Sequence, residues 1–406
     1  MRDIRIFVTL TASLICAFLI ACGGGSSSST TPNTIASTGS NVAPIAVNGG
    51  PTGEYADAAF ASVTVCVPGT SNCQTIDGVL VDTGSFGLRI LSSALTTVSL
   101  PQQKASDGNA VAECLTFLAS YTWGPVQTAD VQIAGEKASS VPIQVLSDTD
   151  FTAPSSCTSS GFQSADTIDT LGANGILGVG LAAQDCGSPC LASYDQYYEC
   201  PSSGCVATGN ETLAQQVVNP VAMFATDNNG VIVELPAVSS GGEPSVSGSL
   251  VFGIGTQSNN GLGSTTVYTA PEGSFTTTYD GQSYPGSFID SGSNGYFFLD
   301  SSLTGLTSCG NSSIAPGFYC PANTTSFKAT NQGNNAASGT VSFSIADAET
   351  LFANQGDSAF GNLGGVSSNS APFYFDWGLP FFFGRNVFVA IVGASTPGGT
   401  GPYWAY

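Results

Sequence analysis

The chain has no histidine among its 406 residues. Ser–His and Cys–His nucleophile pairs are therefore excluded, and so is every metal site that needs an imidazole ligand. Hydrolytic chemistry would fall to carboxylates, hydroxyls, lysine or backbone groups. Basic residues are scarce too: 7 Lys and Arg stand against 28 Asp and Glu, a net charge of −21. So acidic a chain repels nucleic acid and anionic membrane surfaces. The composition suits a protein that works in acid, and equally one that is merely soluble. Only 9% of residues are charged, yet 42% are hydrophobic and 50 are Gly. That balance favours a β-rich globular body over disorder.

Long apolar runs are also missing, except at the start. Arg2 and Arg5 precede an apolar stretch from Ile6 to Ile20 that contains Thr9, Thr11 and Ser13. It is short for a membrane span and has the shape of a signal-peptide core. It ends in Leu19-Ile20-Ala21-Cys22, followed by Gly23-Gly24-Gly25 and four serines. This resembles a bacterial lipobox, where the chain is cut before the Cys and the thiol takes lipid. The expected layout is a signal peptide over 1–21 and a flexible Gly/Ser/Thr tether over 22–47. The body is then exported and held to the cell envelope through Cys22. Gly23 fits the outer membrane of a Gram-negative host.

Of 12 cysteines, Cys16 leaves with the signal and Cys22 takes the lipid, so ten remain. An even number in an oxidising compartment makes five disulfides the default. Local pairing suits Cys66–Cys73 and Cys309–Cys320, and Cys114 is within reach of Cys157. The connectivity of Cys186, Cys190, Cys200 and Cys205 stays open. A four-thiolate zinc site there is the competing reading, disfavoured because exported thiols oxidise. No cofactor is expected.

From about Tyr55 the pattern becomes short alternating runs broken by Gly, Pro, Asn and Asp, as in Ala61–Val67 and Ala129–Ile133. Asp227-Asn228-Asn229-Gly230 and Tyr279-Asp280-Gly281-Gln282 read as hairpin turns. Helical candidates are short: Ser93–Thr97, Glu211–Val218 and Ala346–Ala353. The expected fold is all-β, and too large for one small sandwich, so two lobes are expected, over 48–265 and 266–406.

An internal repeat carries the most information. Val81-Asp82-Thr83-Gly84-Ser85-Phe86-Gly87-Leu88-Arg89-Ile90-Leu91 and Ile289-Asp290-Ser291-Gly292-Ser293-Asn294-Gly295-Tyr296-Phe297-Phe298-Leu299 follow one template. An apolar-apolar-Gly segment follows each. Gly178 of Ile176-Leu177-Gly178 stands 96 residues after Asp82, and Gly384 of Phe382-Phe383-Gly384 stands 94 after Asp290. A duplicated lobe accounts for both motifs and both spacings. One Asp-Thr-Gly alone would be an ordinary turn.

Two lobes about a pseudo-twofold axis would bring the Asp loops face to face. Two carboxylates so placed share one proton. The ionised one can act as a base on water while the protonated one polarises a carbonyl. Thr83 and Ser291 can cross-link the loops. Ser85 and Ser293 can orient the outer carboxylate oxygens, and Gly84 and Gly292 permit tight turns.

Asp82-Thr83-Gly84-Ser85, Gly175-Ile176-Leu177-Gly178, Gly248–Gly253, Asp290-Ser291-Gly292-Ser293 and Phe382–Phe388 resemble, in order, the signature segments of pepsin-like aspartic peptidases. The resemblance runs from about residue 55 to the last residue. It implies a two-lobed pepsin-like fold, catalytic Asp82 and Asp290, a polypeptide in the interlobe cleft and a β-hairpin flap. Cys309–Cys320 also falls where the family often carries a disulfide. Departures concern the flap: Ser120–Pro125 looks shifted, with Tyr121 or Trp123 as the flap aromatic, and Arg89 stands where a supporting Trp often follows the first Asp motif. No Lys or Arg occurs between Arg5 and Arg89, so a basic prosegment over the cleft, as family zymogens often use, is not expected.

The expected activity is that of a monomeric aspartic endopeptidase on the envelope, with no nucleic-acid partner. The alternative is a catalytically inactive pepsin-like module that binds peptide or protein. The intact Asp motifs favour the first and the altered flap the second. A structural envelope protein without a cleft leaves the repeat unexplained.

Overall fold

In the first half, strands are built from alternating Val, Ile, Leu and Ala that bury one face. The computed structural model describes residues 33–406 except 119, 160, 193–195, 209–210 and 368–370. The signal peptide, Cys22 and the start of the tether lie outside the described residues. Strand β1 (Val42–Gly49) leads into β2 (Tyr55–Cys66), β3 (Cys73–Asp82) and β4 (Phe86–Leu91). Strands β5 (Ala110–Thr116), β6 (Ser120–Ile133) and β7 (Glu136–Leu146) follow as a meander. Strand β8 (Gly175–Val179) returns between the two strands of the Asp motif, parallel to β3 and antiparallel to β4. Strands β9 (Gly230–Leu235) and β10 (Val246–Phe252) close this half.

The second half repeats the arrangement on a smaller scale. Strands β11 (Phe275–Tyr279) and β12 (Gln282–Ile289) form a hairpin whose central Asp280 and Gly281 have φ of 48° and 75°. That is the left-handed pair a two-residue hairpin turn demands. Strand β13 (Tyr296–Phe298) leaves the second Asp motif, and β14 (Thr325–Gln332) and β15 (Ser338–Ile345) form a long hairpin. Strand β16 (Gly364–Val366) runs parallel to β13, as β7 does to β4. Strand β17 (Asp376–Trp377) returns parallel to β12 and antiparallel to β13, the counterpart of β8. The core here is aromatic: Phe343 and Phe375 pack on Trp377 with ring centres 5.2 and 5.4 Å away.

Strands β18 (Arg385–Ala390) and β19 (Tyr403–Ala405) then cross back, β18 pairing with β9 along six residues. The last residues of the chain thus share a sheet with β9, β10 and β1. Residues Pro32–Tyr406 form one compact unit. The result is the all-β, two-lobed pepsin-like architecture, with a sheet common to both halves.

Several local expectations change. The tether does not extend to 47: Val42–Gly49 is a strand, because Val42, Ile45 and Val47 are buried against β10 and β2. Asp227–Gly230 is no hairpin, since a 3₁₀ turn, Pro220–Met223, precedes it rather than a strand. Of the helical candidates, Ala348–Ala353 is helical, Ser92–Ala94 is a 3₁₀ turn, and 211–218 forms none. There Gln216 spends its amide on Gly187 and Glu211 carbonyls.

Five disulfides form: Cys66–Cys73, Cys114–Cys157, Cys186–Cys190, Cys200–Cys205 and Cys309–Cys320. The open cluster resolves into two local pairs, which leaves no thiolates for zinc. Disulfides on this scale point to an exported, oxidising setting. Among the described residues no helix is long and apolar enough to cross a membrane.

Candidate active site

Each Asp motif turns sharply out of a buried strand, and the two turns meet. At Asp82, Oδ1 accepts from the Gly84 and Ser85 amides at 2.8 and 3.1 Å, and Oδ2 from Ser85 Oγ at 2.5 Å. At Asp290, Oδ1 accepts from the Gly292 amide at 2.7 Å and Oδ2 from Ser293 Oγ at 3.0 Å. The loops are tied by four buried bonds. The Thr83 amide donates to Ser291 Oγ (3.1 Å) and the Ser291 amide to Thr83 Oγ1 (2.9 Å). Thr83 Oγ1 donates to the Ile289 carbonyl (3.2 Å), and Ser291 Oγ to that of Val81 (2.7 Å). This two-way exchange follows from the local symmetry: each hydroxyl accepts from the opposite loop and donates to the opposite strand.

Glycine is required at the contact. A Cβ on Gly84 would stand 2.4 Å from Asp290 Cγ. One on Gly292 would stand 2.6 Å from Asp82 Oδ1 and 3.1 Å from Asp290 Oδ1, so both carboxyl groups border one point. Both are buried, at 6% and 9% exposure. Burial pushes the Asp290 pKa well above the usual carboxylate range. The charges of Asp82 and Asp376 and a hydrogen bond with Asp82 add to it, and the Gly292 amide opposes it.

The pair opens into a cavity of about 370 Å³. Leu115, Thr116, Phe117 and Leu118, from the end of β5 and the turn to β6, line its far side. A larger cavity of about 650 Å³, beside Lys328 and Arg385, has no acidic residue in its lining.

A family described as protein of unknown function, DUF3443, matches residues 37–406. The chain belongs to this family. No curated protein matches it in sequence. Among solved structures it is similar to the crystal structure of an aspartic proteinase from Irpex lacteus, with 15% identity and a TM-score of 0.54. The match covers 90% of this chain and 96% of that one. At that identity the likeness establishes the fold.

The flap aromatics expected from the sequence are not at the cavity. Trp123 is buried on the other face of the hairpin, its Nε1 donating to the Phe151 carbonyl at 2.9 Å and its ring edge-on to Tyr198 at 5.1 Å. Tyr121 shares that face by strand alternation and packs on the same small core with Cys114 and Cys157. Phe117 and Leu118 hold the hairpin tip instead, and Leu118 is 60% exposed. An apolar pair where a polar turn is usual was the available signal.

The second return glycine also differs. Asp82 pairs with Gly178, the glycine of the first apolar-apolar-Gly segment. Opposite β12, Phe288 and Ile289 pair with Asp376 and Trp377, so the counterpart is Gly378, not Gly384. A Cβ on Gly378 would stand 2.1 Å from the Gly295 carbonyl oxygen, and one on Gly178 would stand 2.6 Å from the Phe86 amide nitrogen, so neither place admits a side chain. Phe382-Phe383-Gly384 lies after this segment and leads into β18.

Arg89 does not merely vacate a Trp position. Fully buried, it contacts Glu113 at 2.9 Å and Asp185 at 2.8 Å. It also donates to Gln144 Oε1 and the Phe86 carbonyl. Glu113 sits in β5, the stem of the hairpin over the cavity, and Asp185 lines the cavity. Tyr197 donates to Asp185 at 2.7 Å. Burial, then the neighbouring Glu113, push Asp185 well above the usual carboxylate range, against the pull of Arg89. Sequence reading missed Glu113, Asp185 and Asp376, whose partners are remote along the chain.

Proposed function

We propose that the chain is an aspartic endopeptidase that hydrolyses peptide bonds in extended polypeptides with a water activated between Asp82 and Asp290. The observation that carries this reading is the pair of cross-linked Asp loops whose carboxyl groups border one point beneath a hairpin. Three donors converge on Asp82 and two on Asp290, so the shared negative charge rests on Asp82 and the proton on Asp290. Asp82 takes a proton from water as its oxygen bonds to the scissile carbonyl carbon, and Asp290 gives its proton to the carbonyl oxygen. A proton then passes from the Asp82 carboxyl to the amide nitrogen, the C–N bond breaks, and Asp290 recovers its proton from the gem-diol. No covalent enzyme intermediate forms.

The chemistry needs one proton on the pair. Turnover of an extended peptide is expected to follow a bell in pH, falling in strong acid as both groups protonate and falling again as the second proton leaves. Because Asp290 is held above the ordinary range, the upper limb lies above that of an isolated carboxylate. A rate that rises steadily with pH contradicts this.

The enzyme works as a monomer anchored by lipid on Cys22, on the outer membrane. Support comes from the lipobox-like Leu19–Cys22 and the exported character of the disulfides. Mass spectrometry of the mature N-terminus is expected to find acylated Cys22. An unmodified chain beginning upstream of it overturns the anchor.

A further inference from the structure

The two Asp loops are not equivalent in one respect. In the first half, Leu80 of β3 pairs with Ile176 of β8. At the same place in the second half, Phe288 of β12 pairs with Asp376 of β17. A carboxyl thus occupies a core position filled by an aliphatic side chain in the other lobe. Asp376 is 2% exposed, and no protein donor among the described residues reaches its Oδ1. No cation among the described residues pairs with it.

Its other oxygen is engaged. Asp376 Oδ2 lies 2.6 Å from Ser293 Oγ, which lies 3.0 Å from Asp290 Oδ2. Ser293 has a single hydroxyl hydrogen and cannot donate to both. With Asp376 protonated, its O–H donates to Ser293 Oγ and the Ser293 hydrogen is free for Asp290. With Asp376 ionised, it captures that hydrogen and adds a negative charge beside the pair. Among the described residues Ser85 Oγ has no such second acceptor, so there the competition falls on the Asp290 side.

We propose that Asp376 is a positioning residue: through the single hydroxyl hydrogen of Ser293 it sets how firmly Asp290 holds its proton, and its own charge, when ionised, keeps the pair's proton in place. This rests on the hydrolytic reading above for its consequence, not for its chemistry. The titratable groups facing Asp376 are Asp290, Asp82 and Tyr374. Strands β12 and β13 present Phe288 and Phe297 to it. Burial pushes Asp376 up to about 8, with Ser293 opposing and Asp82 adding to the rise. The negative charge of Asp376 in turn raises Asp290.

The test compares the wild-type chain, labelled with ¹³C at its Asp carboxyls, with Asp376→Asn and Asp376→Ile. The second variant installs the residue type found in the first lobe and serves if the amide fails to fold. Carboxyl resonances are followed through a pH titration, a readout that needs no turnover. In both variants the pair is expected to lose its last proton at least about one pH unit lower than in the wild type. One carboxyl titrating near neutral pH should also disappear. The upper limb of the pH–rate profile moves down by the same amount. An unmoved pair titration overturns the proposal, as does a drop in rate at every pH with the limb in place, which marks a structural role alone. A wild type that hydrolyses nothing at any pH defeats the proposed function and leaves the carbon titration to decide on Asp376.

Discussion

Asp82→Asn and Asp290→Asn each lower peptide hydrolysis by at least about 10³-fold, the scale of a lost general base or acid. An amide cannot take the proton from water at position 82 or supply one to the carbonyl oxygen at 290. The two losses do not add, because the residues act on one water and share one proton. Folding is retained in both, since Asn preserves the shape of Asp and the Thr83–Ser291 cross-links are untouched. Thermal melts of the variants are the control. A loss of rate with an intact melt assigns the effect to chemistry, and an unchanged rate in either variant places the catalytic groups elsewhere.

Arg89→Ala destabilises the fold by about 3–5 kcal/mol at neutral pH, the cost of stranding buried acids without their cation. Two carboxyl side chains lose it together, Glu113 and Asp185, both essentially inaccessible to water. The sign of the pH dependence follows from that. Without Arg89, Asp185 holds its proton to still higher pH than in the wild type, so the defect is smallest in acid and grows as pH rises through its titration. Chemical denaturation at acid and neutral pH measures it. Because Glu113 belongs to β5 and Asp185 to the cavity wall, the hairpin loosens with the network. Arg89→Lys rescues little, as an ammonium cannot reproduce the guanidinium's simultaneous contacts to Glu113, Asp185, Gln144 and Phe86. A variant as stable as the wild type at neutral pH would show that Arg89 is not what holds these acids.

The parts of the site that were legible in the sequence are those whose chemistry is local. Asp82, Gly84 and Ser85, and likewise Asp290, Gly292 and Ser293, form each turn within a few residues, so duplication made them visible. Gly178 was found because Ile176 and Leu177 precede it in a fully apolar strand. Gly378 was missed because Asp376 interrupts the same strand in the second lobe, and an apolar template passes over a buried acid. Trp123 and Tyr121 had the right residue types and the wrong face, which is decided by the pairing of β5 with β6. Arg89 stood out as a substitution, but its partners lie 24 and 96 residues away, and only the fold brings them together. Val42–Gly49 was hidden by the Ser- and Gly-rich residues before it; its pairing with β10 depends on a strand some 200 residues later.

The central claim is that two aspartates from duplicated loops act as one acid–base pair on polypeptide. It is tested most directly by incubating the purified chain and its Asp82→Asn variant with a diverse peptide mixture from about pH 2 to about pH 10, wide enough to cross both limbs of the bell, and mapping new termini by mass spectrometry. The account predicts internal cleavage by the wild type, bell-shaped in pH, and none by the variant. Peptides bound but never cut at any pH, or the same new termini from both proteins, would contradict it.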